Sequence, residues 1–166
     1  AVLRTVLGTH VGQAGSLVEQ GRLRFDFTHY GAVAQSLLND IEELINDKVR
    51  LNDEIELAVM PLQQARDRGA LAFFGDKYGE IVRLVEMGDY SKELCGGTHV
   101  KATGEIGLVK LISESGVAAG VRRIEALTGL KAHKIVRVQD ETLSKLGEMF
   151  RIPTHLVENR IQVLLR

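Results

Sequence analysis

Cysteine is nearly absent from this chain of 166 residues, which contains Cys95 alone. A single thiol excludes an internal disulfide, and the sequence shows no secretory signal, so we expect a reducing cytoplasm as its compartment. Hydrophobic runs are far too short to cross a membrane, which predicts that no membrane is a partner. Internal repeats and low-complexity segments are lacking as well, so repeat architectures and disordered linkers are excluded.

An excess of one charge sign is also lacking, since 21 Lys and Arg residues stand against 22 Asp and Glu residues. The total therefore does not indicate a nucleic-acid-binding protein. The distribution is uneven, with seven acids and two bases from Asn39 to Glu56 but seven bases and three acids from Lys101 to Arg137. The second stretch indicates either a local basic face or a solvated surface without a partner.

The hydrophobic pattern predicts an α+β fold up to Gly129 and a helical tail after it. Predicted helices begin at the N-terminus, at Ser36 and at Pro61, and the first and third end at Gly8 and Gly69. Predicted strands cover a hairpin at 16–28 and the segments 54–60, 81–88, 103–116 and 121–129. We therefore divide the chain into a domain, 1–129, and a helical segment, 130–166. The first helix has no capping residue, so we expect the chain to begin within a helix.

The stretch ELCGGTHV, residues 93–100, contains the cysteine and, four residues later, His99. A thiolate and an imidazole are usual zinc ligands, and the glycines between them permit unusual backbone angles and close approach of a ligand. Three interpretations stay open on spacing alone: a structural cysteine, a partial metal site, and a Cys–His nucleophile. A zinc site needs three or four ligands, so this motif supplies part of one.

Two other stretches contain residues suited to binding. In THVGQAGS the glycines predict a tight exposed turn, and Gln13 is either an ordinary turn residue or a group that orients a water or a carbonyl. In GVAAGVRRIEALTG the neighbouring Arg122 and Arg123 face opposite ways on a strand. One of them can meet phosphate while the other pairs with an acid such as Glu125 or Glu105. No phosphate-loop pattern is present, so no ATP site is predicted.

Five stretches, in order along the chain, closely resemble the editing domain of alanyl-tRNA synthetases. They are THVGQAGSLV, LRFDFTH, GALAFFGDKYG, ELCGGTHVKATGEIG and SESGVAAGVRRIEALTG. The related domain of threonyl-tRNA synthetases and the free-standing AlaX-type editing proteins share the C-x3-H element, but the last stretch favours the alanyl family. The helical remainder resembles the start of the segment that leads to the synthetase's C-terminal domain.

The resemblance implies the second-additional-domain type of α+β fold, with a mixed, largely antiparallel sheet and packed helices. It also implies a zinc site built from an H-x3-H motif and the C-x3-H motif, with Cys95 and His99 as two of four ligands. The H-x3-H pair would precede Ala1 and lies outside this sequence. Gln13 and, less directly, Thr98 match catalytic positions, and Gly96 and Gly97 would line the substrate pocket.

The function implied by the resemblance is hydrolysis of mischarged Ser-tRNA(Ala) and Gly-tRNA(Ala), within an alanine–tRNA ligase. ATP and Mg²⁺ would act only in a ligase domain outside this sequence, and homo-oligomerisation through the helical tail is a further possibility. Charge makes four residues candidates for tRNA contact: Arg122, Arg123, Lys101 and Lys110. The alternatives are an inactive tRNA-binding or linker segment and a free-standing AlaX-type deacylase.

Overall fold

The computed structural model describes residues 1–71 and 78–166, which form two antiparallel sheets with helices packed on them. The strands in these ranges are β1 (Gln13–Glu19), β2 (Arg22–Thr28), β3 (Ile55–Pro61), β4 (Ile81–Met87), β5 (Ser91–Leu94), β6 (Val109–Ala118) and β7 (Val121–Thr128). The helices are α1 (Val2–Leu7), α2 (Gln35–Leu51), α3 (Leu62–Asp67), α4 (Gly129–Phe150) and α5 (Val157–Leu164). The predicted α+β class is confirmed, while most of GALAFFGDKYG lies outside the described residues.

The larger sheet has the strand order β1-β2-β7-β6, and its apolar face is covered by α2. Alternation in LRFDF places Leu23, Phe25 and Phe27 on that face, and Phe27 is completely buried. Burying a side chain of this kind contributes about 1.5–3 kcal/mol to folding. The predicted hairpin is confirmed, although β1 begins three residues earlier than expected, at Gln13.

Helix α2 presents a continuous apolar stripe to this sheet, as its sequence period predicts. Ile41 is fully buried at the centre of the contact. The helix ends where Asn52 adopts a left-handed conformation with φ of 54° and donates its N–H to the Val49 carbonyl at 3.1 Å. This C-cap satisfies a carbonyl that the last helical turn would otherwise leave unpaired.

The smaller sheet has the order β3-β4-β5, and α3 covers one of its faces. The central strand β4 buries Val82 and Leu84 against that helix. Strand β5 was not predicted, because its four residues, SKEL, show no apolar alternation long enough to recognise. Pro61 ends β3 and precedes α3, so the predicted helix start is confirmed within one residue.

The predicted strand over 103–116 is correct only in its second part. Thr103–Ile106 forms a 3₁₀ turn, and β6 begins at Val109. Strands β6 and β7 are joined by Ala119 and Gly120, and Gly120 takes a φ of 70°, which glycine adopts without strain. The glycine-rich stretch before Arg122 is therefore the tip of a hairpin.

The tail forms α4 and α5, separated near Pro153 as predicted. Ala132, near the start of α4, is fully buried where the helix meets β7, whereas Leu130, Met149 and Leu165 are about four-fifths exposed. The division at residue 129 and oligomerisation of the tail remain predictions. No helix within residues 1–71 and 78–166 is long and apolar enough to cross a membrane.

Candidate metal centre

The stretch Cys95–His99 forms a loop that leaves the edge strand of the smaller sheet. Leu94 is the last residue of β5 and pairs with Leu84 of β4. One more hydrogen bond joins the two chain segments beyond this pair: the Cys95 N–H donates to the Arg83 carbonyl at 3.2 Å. Cys95 itself is exposed and His99 is half-buried.

The Cys95 sulfur already acts as an acceptor within this loop. The Gly97 N–H donates to Sγ at 3.4 Å. The sulfur accepts this bond and is nevertheless exposed, so it is accessible to a metal ion or to a reactant. The contact therefore fits both a metal ligand and a reactive thiol.

The imidazole of His99 carries the second candidate ligand atom. Its Nδ1 is buried and has no hydrogen-bond partner among the described residues. Burial, and after it the positive charge of Arg83, lowers the pKa of His99 below its ordinary value. The ring is therefore held in its neutral form, in which one nitrogen keeps a free electron pair for a metal ion.

Sulfur and imidazole nitrogen are the donor types that zinc prefers, so these two side chains fit the ion that the resemblance implies. Within residues 1–71 and 78–166, however, no three His, Cys, Asp or Glu side chains form a group that could hold a metal. The described chain thus offers a pair of candidate ligands. Their assignment to zinc remains a prediction.

The two glycines of the loop do not use the backbone freedom that glycine permits. Neither Gly96 nor Gly97 has a positive φ. A side chain at Gly96 would meet nothing within 4 Å, and one at Gly97 would lie 3.5 Å from the Cys95 sulfur. Their shared property is open space beside the main chain. Thr98 is exposed in the same loop, and its hydroxyl makes no hydrogen bond to the described residues.

Gln13 does not lie in an exposed turn, and that prediction is wrong. It is the half-buried first residue of β1, and its Nε2 donates to Ser16 Oγ at 3.2 Å. It lines a mainly apolar cavity of about 300 Å³ between α1, α2 and the larger sheet. Glu93, two residues before Cys95, lines the same cavity, whereas Cys95 and His99 are not among its described lining residues. Sequence reasoning did not identify Glu93.

The basic candidates are mostly engaged in ion pairs. Arg122 donates two hydrogen bonds to Glu114, at 2.5 and 2.7 Å, and Lys110 lies 2.8 Å from Glu42. Arg123 donates two hydrogen bonds to Asp26, at 2.6 and 2.8 Å, and these lower the pKa of that carboxyl.

The expected pairing of an arginine with an acid is confirmed, but the partners are Glu114 and Asp26 rather than the examples Glu125 and Glu105. Glu125 instead accepts a bond from Arg22 at 2.6 Å. Lys101 is exposed and belongs to no ion pair in the described part of the chain. The four tRNA-contact assignments remain predictions.

Residues 82–125 match the family described as the threonyl and alanyl tRNA synthetase second additional domain. This segment contains most of β4, all of β5, the Cys95–His99 loop, β6 and the greater part of β7. The described α+β architecture and the position of the loop therefore belong to that class of synthetase domain.

Curated relatives extend the match to nearly the whole chain. The alanine–tRNA ligase of Hydrogenovibrio crunogenus is 48% identical over 165 residues, which are 99% of this chain and 19% of the relative. That of Shewanella loihica is 53% identical over 151 residues, which are 91% of this chain and 17% of the relative. That of Listeria monocytogenes is 45% identical over 162 residues, which are 98% of this chain and 18% of the relative. The chain thus belongs to the alanyl-tRNA synthetase family and spans about a fifth of the length of these relatives.

Proposed function

We propose that this chain contributes to hydrolytic editing of tRNA(Ala) that carries serine or glycine, at a zinc-dependent site to which it supplies Cys95 and His99. Serine and glycine are so close to alanine in size that binding alone discriminates poorly against them, and a second hydrolytic site corrects the error. The match to a second additional domain and the ligase relatives support the synthetase setting.

The observation that carries the proposal is the state of the two candidate ligands. His99 has a buried Nδ1 without a partner and an imidazole held neutral, and Cys95 has an exposed sulfur that accepts one backbone N–H. An unpaired buried nitrogen costs free energy unless something binds it. A zinc ion held by both side chains would remove this cost at His99.

The proposed reaction is attack of water on the ester carbonyl that links the amino acid to the tRNA 3′ end. The bond between the carbonyl carbon and the ester oxygen breaks, and the products are the free amino acid and a tRNA with its hydroxyl restored. Bound zinc supplies a positive charge that polarises a carbonyl or a water. Gln13, whose amide can donate and accept, would orient the water or the substrate. The open space beside Gly96 and Gly97 leaves room for a small aminoacyl group.

A comparison of two proteins tests this proposal. Ser-tRNA(Ala) hydrolysis and zinc content are measured for this chain and for a version extended upstream by about 15–20 residues, a few helical turns, to include the implied H-x3-H motif. We expect stoichiometric zinc and hydrolysis in the longer version, and loss of both in its Cys95→Ala and His99→Ala variants. Unchanged zinc and activity in Cys95→Ala would refute the ligand assignment.

A linker without catalysis is the second candidate function. It is favoured by α4, a helix of 22 residues with exposed apolar side chains, which would separate two parts of a longer protein. The same assay distinguishes it, because a linker would leave hydrolysis absent in both versions.

A further inference from the structure

Arg83 on β4 makes the contacts that hold the Cys95–His99 loop against the sheet. Its Nε donates to the Cys95 carbonyl at 2.9 Å, and its guanidinium also donates to the Gly97 carbonyl. Its own carbonyl accepts the Cys95 N–H at 3.2 Å. One residue thus binds the main chain on both sides of Gly96.

The loop has few other means of keeping one conformation. Gly96 and Gly97 have no side chains to pack, and Thr98 is exposed without a hydrogen bond to the described residues. After the loop, the next hydrogen bond to another element among the described residues is at Lys101, whose carbonyl accepts the Ile55 N–H at 2.8 Å. Glycine is the residue that loses most conformational freedom on ordering, so an unsupported loop of this composition would be mobile.

The chemistry of arginine suits this task. A planar guanidinium presents several N–H groups in a fixed fork, so one side chain can serve two carbonyls at once. Hydrogen bonds from a charged donor are about twice as strong as neutral ones. Arg83 pairs with Val59 across the sheet, on the face that α3 does not cover, and so reaches the loop without displacing the core.

We propose that Arg83 is a positioning residue that fixes the Cys95–His99 loop in the conformation that presents the Cys95 sulfur and the His99 imidazole together. Its effect on metal binding rests on the proposed function above, whereas its effect on loop order does not.

Three variants of this chain test the proposal: Arg83→Met, which removes both donated bonds; Arg83→Lys, which keeps the charge without the fork; and Arg66→Met, a control on α3. Backbone order parameters are measured by NMR for Gly96, Gly97 and Thr98. Affinity for Co²⁺ alone is measured for the same variants in the version extended upstream, from the absorption of the bond between Co²⁺ and the Cys95 thiolate. Thermal unfolding shows whether each variant is folded.

We expect order parameters at the three residues to fall from about 0.85 to below about 0.6 in Arg83→Met. Co²⁺ affinity should fall at least about tenfold, the effect of losing the groups that orient metal ligands. Arg83→Lys should give order parameters and a Co²⁺ affinity between those of the unchanged chain and Arg83→Met, because a single ammonium cannot reproduce the contact with two carbonyls. Arg66→Met should change neither quantity.

The two proposals fail in different ways. A loop that is already disordered in the unchanged chain, or that stays ordered in a folded Arg83→Met variant, would overturn the role of Arg83. An extended version that binds no Co²⁺ through Cys95, together with a loop that loses order in Arg83→Met, would support that role while contradicting the metal site.

Discussion

Thr103 provides the sharpest test of how the loop is anchored on its far side. It lies four residues after His99 and is almost completely buried. Its hydroxyl accepts the Asp53 N–H at 3.0 Å and donates to the Lys48 carbonyl at 3.0 Å, near the C-terminus of α2. One hydroxyl therefore satisfies two backbone groups and ties the chain after the loop to the end of a core helix.

Replacing Thr103 with valine keeps the shape of the side chain but removes the hydroxyl. The Asp53 N–H and the Lys48 carbonyl would then be left without this partner, and each unsatisfied buried group costs about 1–3 kcal/mol. Both groups are only partly buried, so we expect the lower part of the summed range, about 2–4 kcal/mol. At about 2–4 °C per kcal/mol for a chain of this size, the midpoint of thermal unfolding should fall by about 4–16 °C.

The measurement is urea unfolding of Thr103→Val, with Thr103→Ser as the matched control. Serine keeps the hydroxyl and loses a methyl group, so its cost should stay near 0.5–1.5 kcal/mol, about that of other single-methyl deletions. A Thr103→Val protein as stable as the unchanged chain, or a serine variant that is less stable than the valine one, would refute the reasoning.

Three further predictions follow from the core, the ion pairs and the loop. Ile41→Ala should lower the free energy of unfolding by about 2–5 kcal/mol in urea titrations, because it opens a cavity under the larger sheet; a loss below about 1 kcal/mol would contradict this packing. The pKa of Asp26 is lower in the folded chain than in the unfolded one, so its contribution to stability is complete above about pH 3.9 and is lost as the pH falls through the folded value. Unfolding measured across this range should show less acid dependence in Asp26→Asn, and equal dependence in both proteins would show that another carboxyl is responsible. Gly96→Ala should change stability by less than about 0.5 kcal/mol, because the added methyl group enters open space, yet it should slow Ser-tRNA(Ala) hydrolysis in the extended protein; unchanged hydrolysis would place the amino acid elsewhere.

Long periodic segments were predictable from the sequence because their burial repeats along the chain. The stripe of α2 and the alternation around Phe27 each carry enough apolar positions to define a face. Strand β5 could not be found in this way. Its order comes from pairing with β4, which is a tertiary contact that four residues of SKEL do not encode locally.

The ion pairs show a second limit. Arg122 and Arg123 were recognisable as strand neighbours facing opposite ways, but their partners depend on register. Asp26 lies opposite Arg123 across β2 and β7, and this pairing becomes visible only when the strands are aligned. The same holds for Arg83, whose only local signal is a charged residue inside the apolar run IVRLVEM.

The candidate ligands were identified from spacing and resemblance, and the structure adds the physical state of each atom. It also changes the reason for the glycines. Ordinary backbone angles at Gly96 and Gly97 mean that alanine is conformationally acceptable there, so any intolerance to substitution would report on what occupies the open space. A sequence alone does not distinguish these two causes.

The length of α4 has a mechanical consequence. Its 22 residues extend for about 33 Å, and the start of the helix is fixed where Ala132 is buried near β7. A helix held at one end transmits rotation as a lever. The arm from Ala132 to the end of the helix is about 27 Å, so a tilt of about 10° at the sheet would move the far end by about 5 Å. A small change in the tilt of α4 beside β7 would thus move α5 by a distance larger than a typical contact between two atoms.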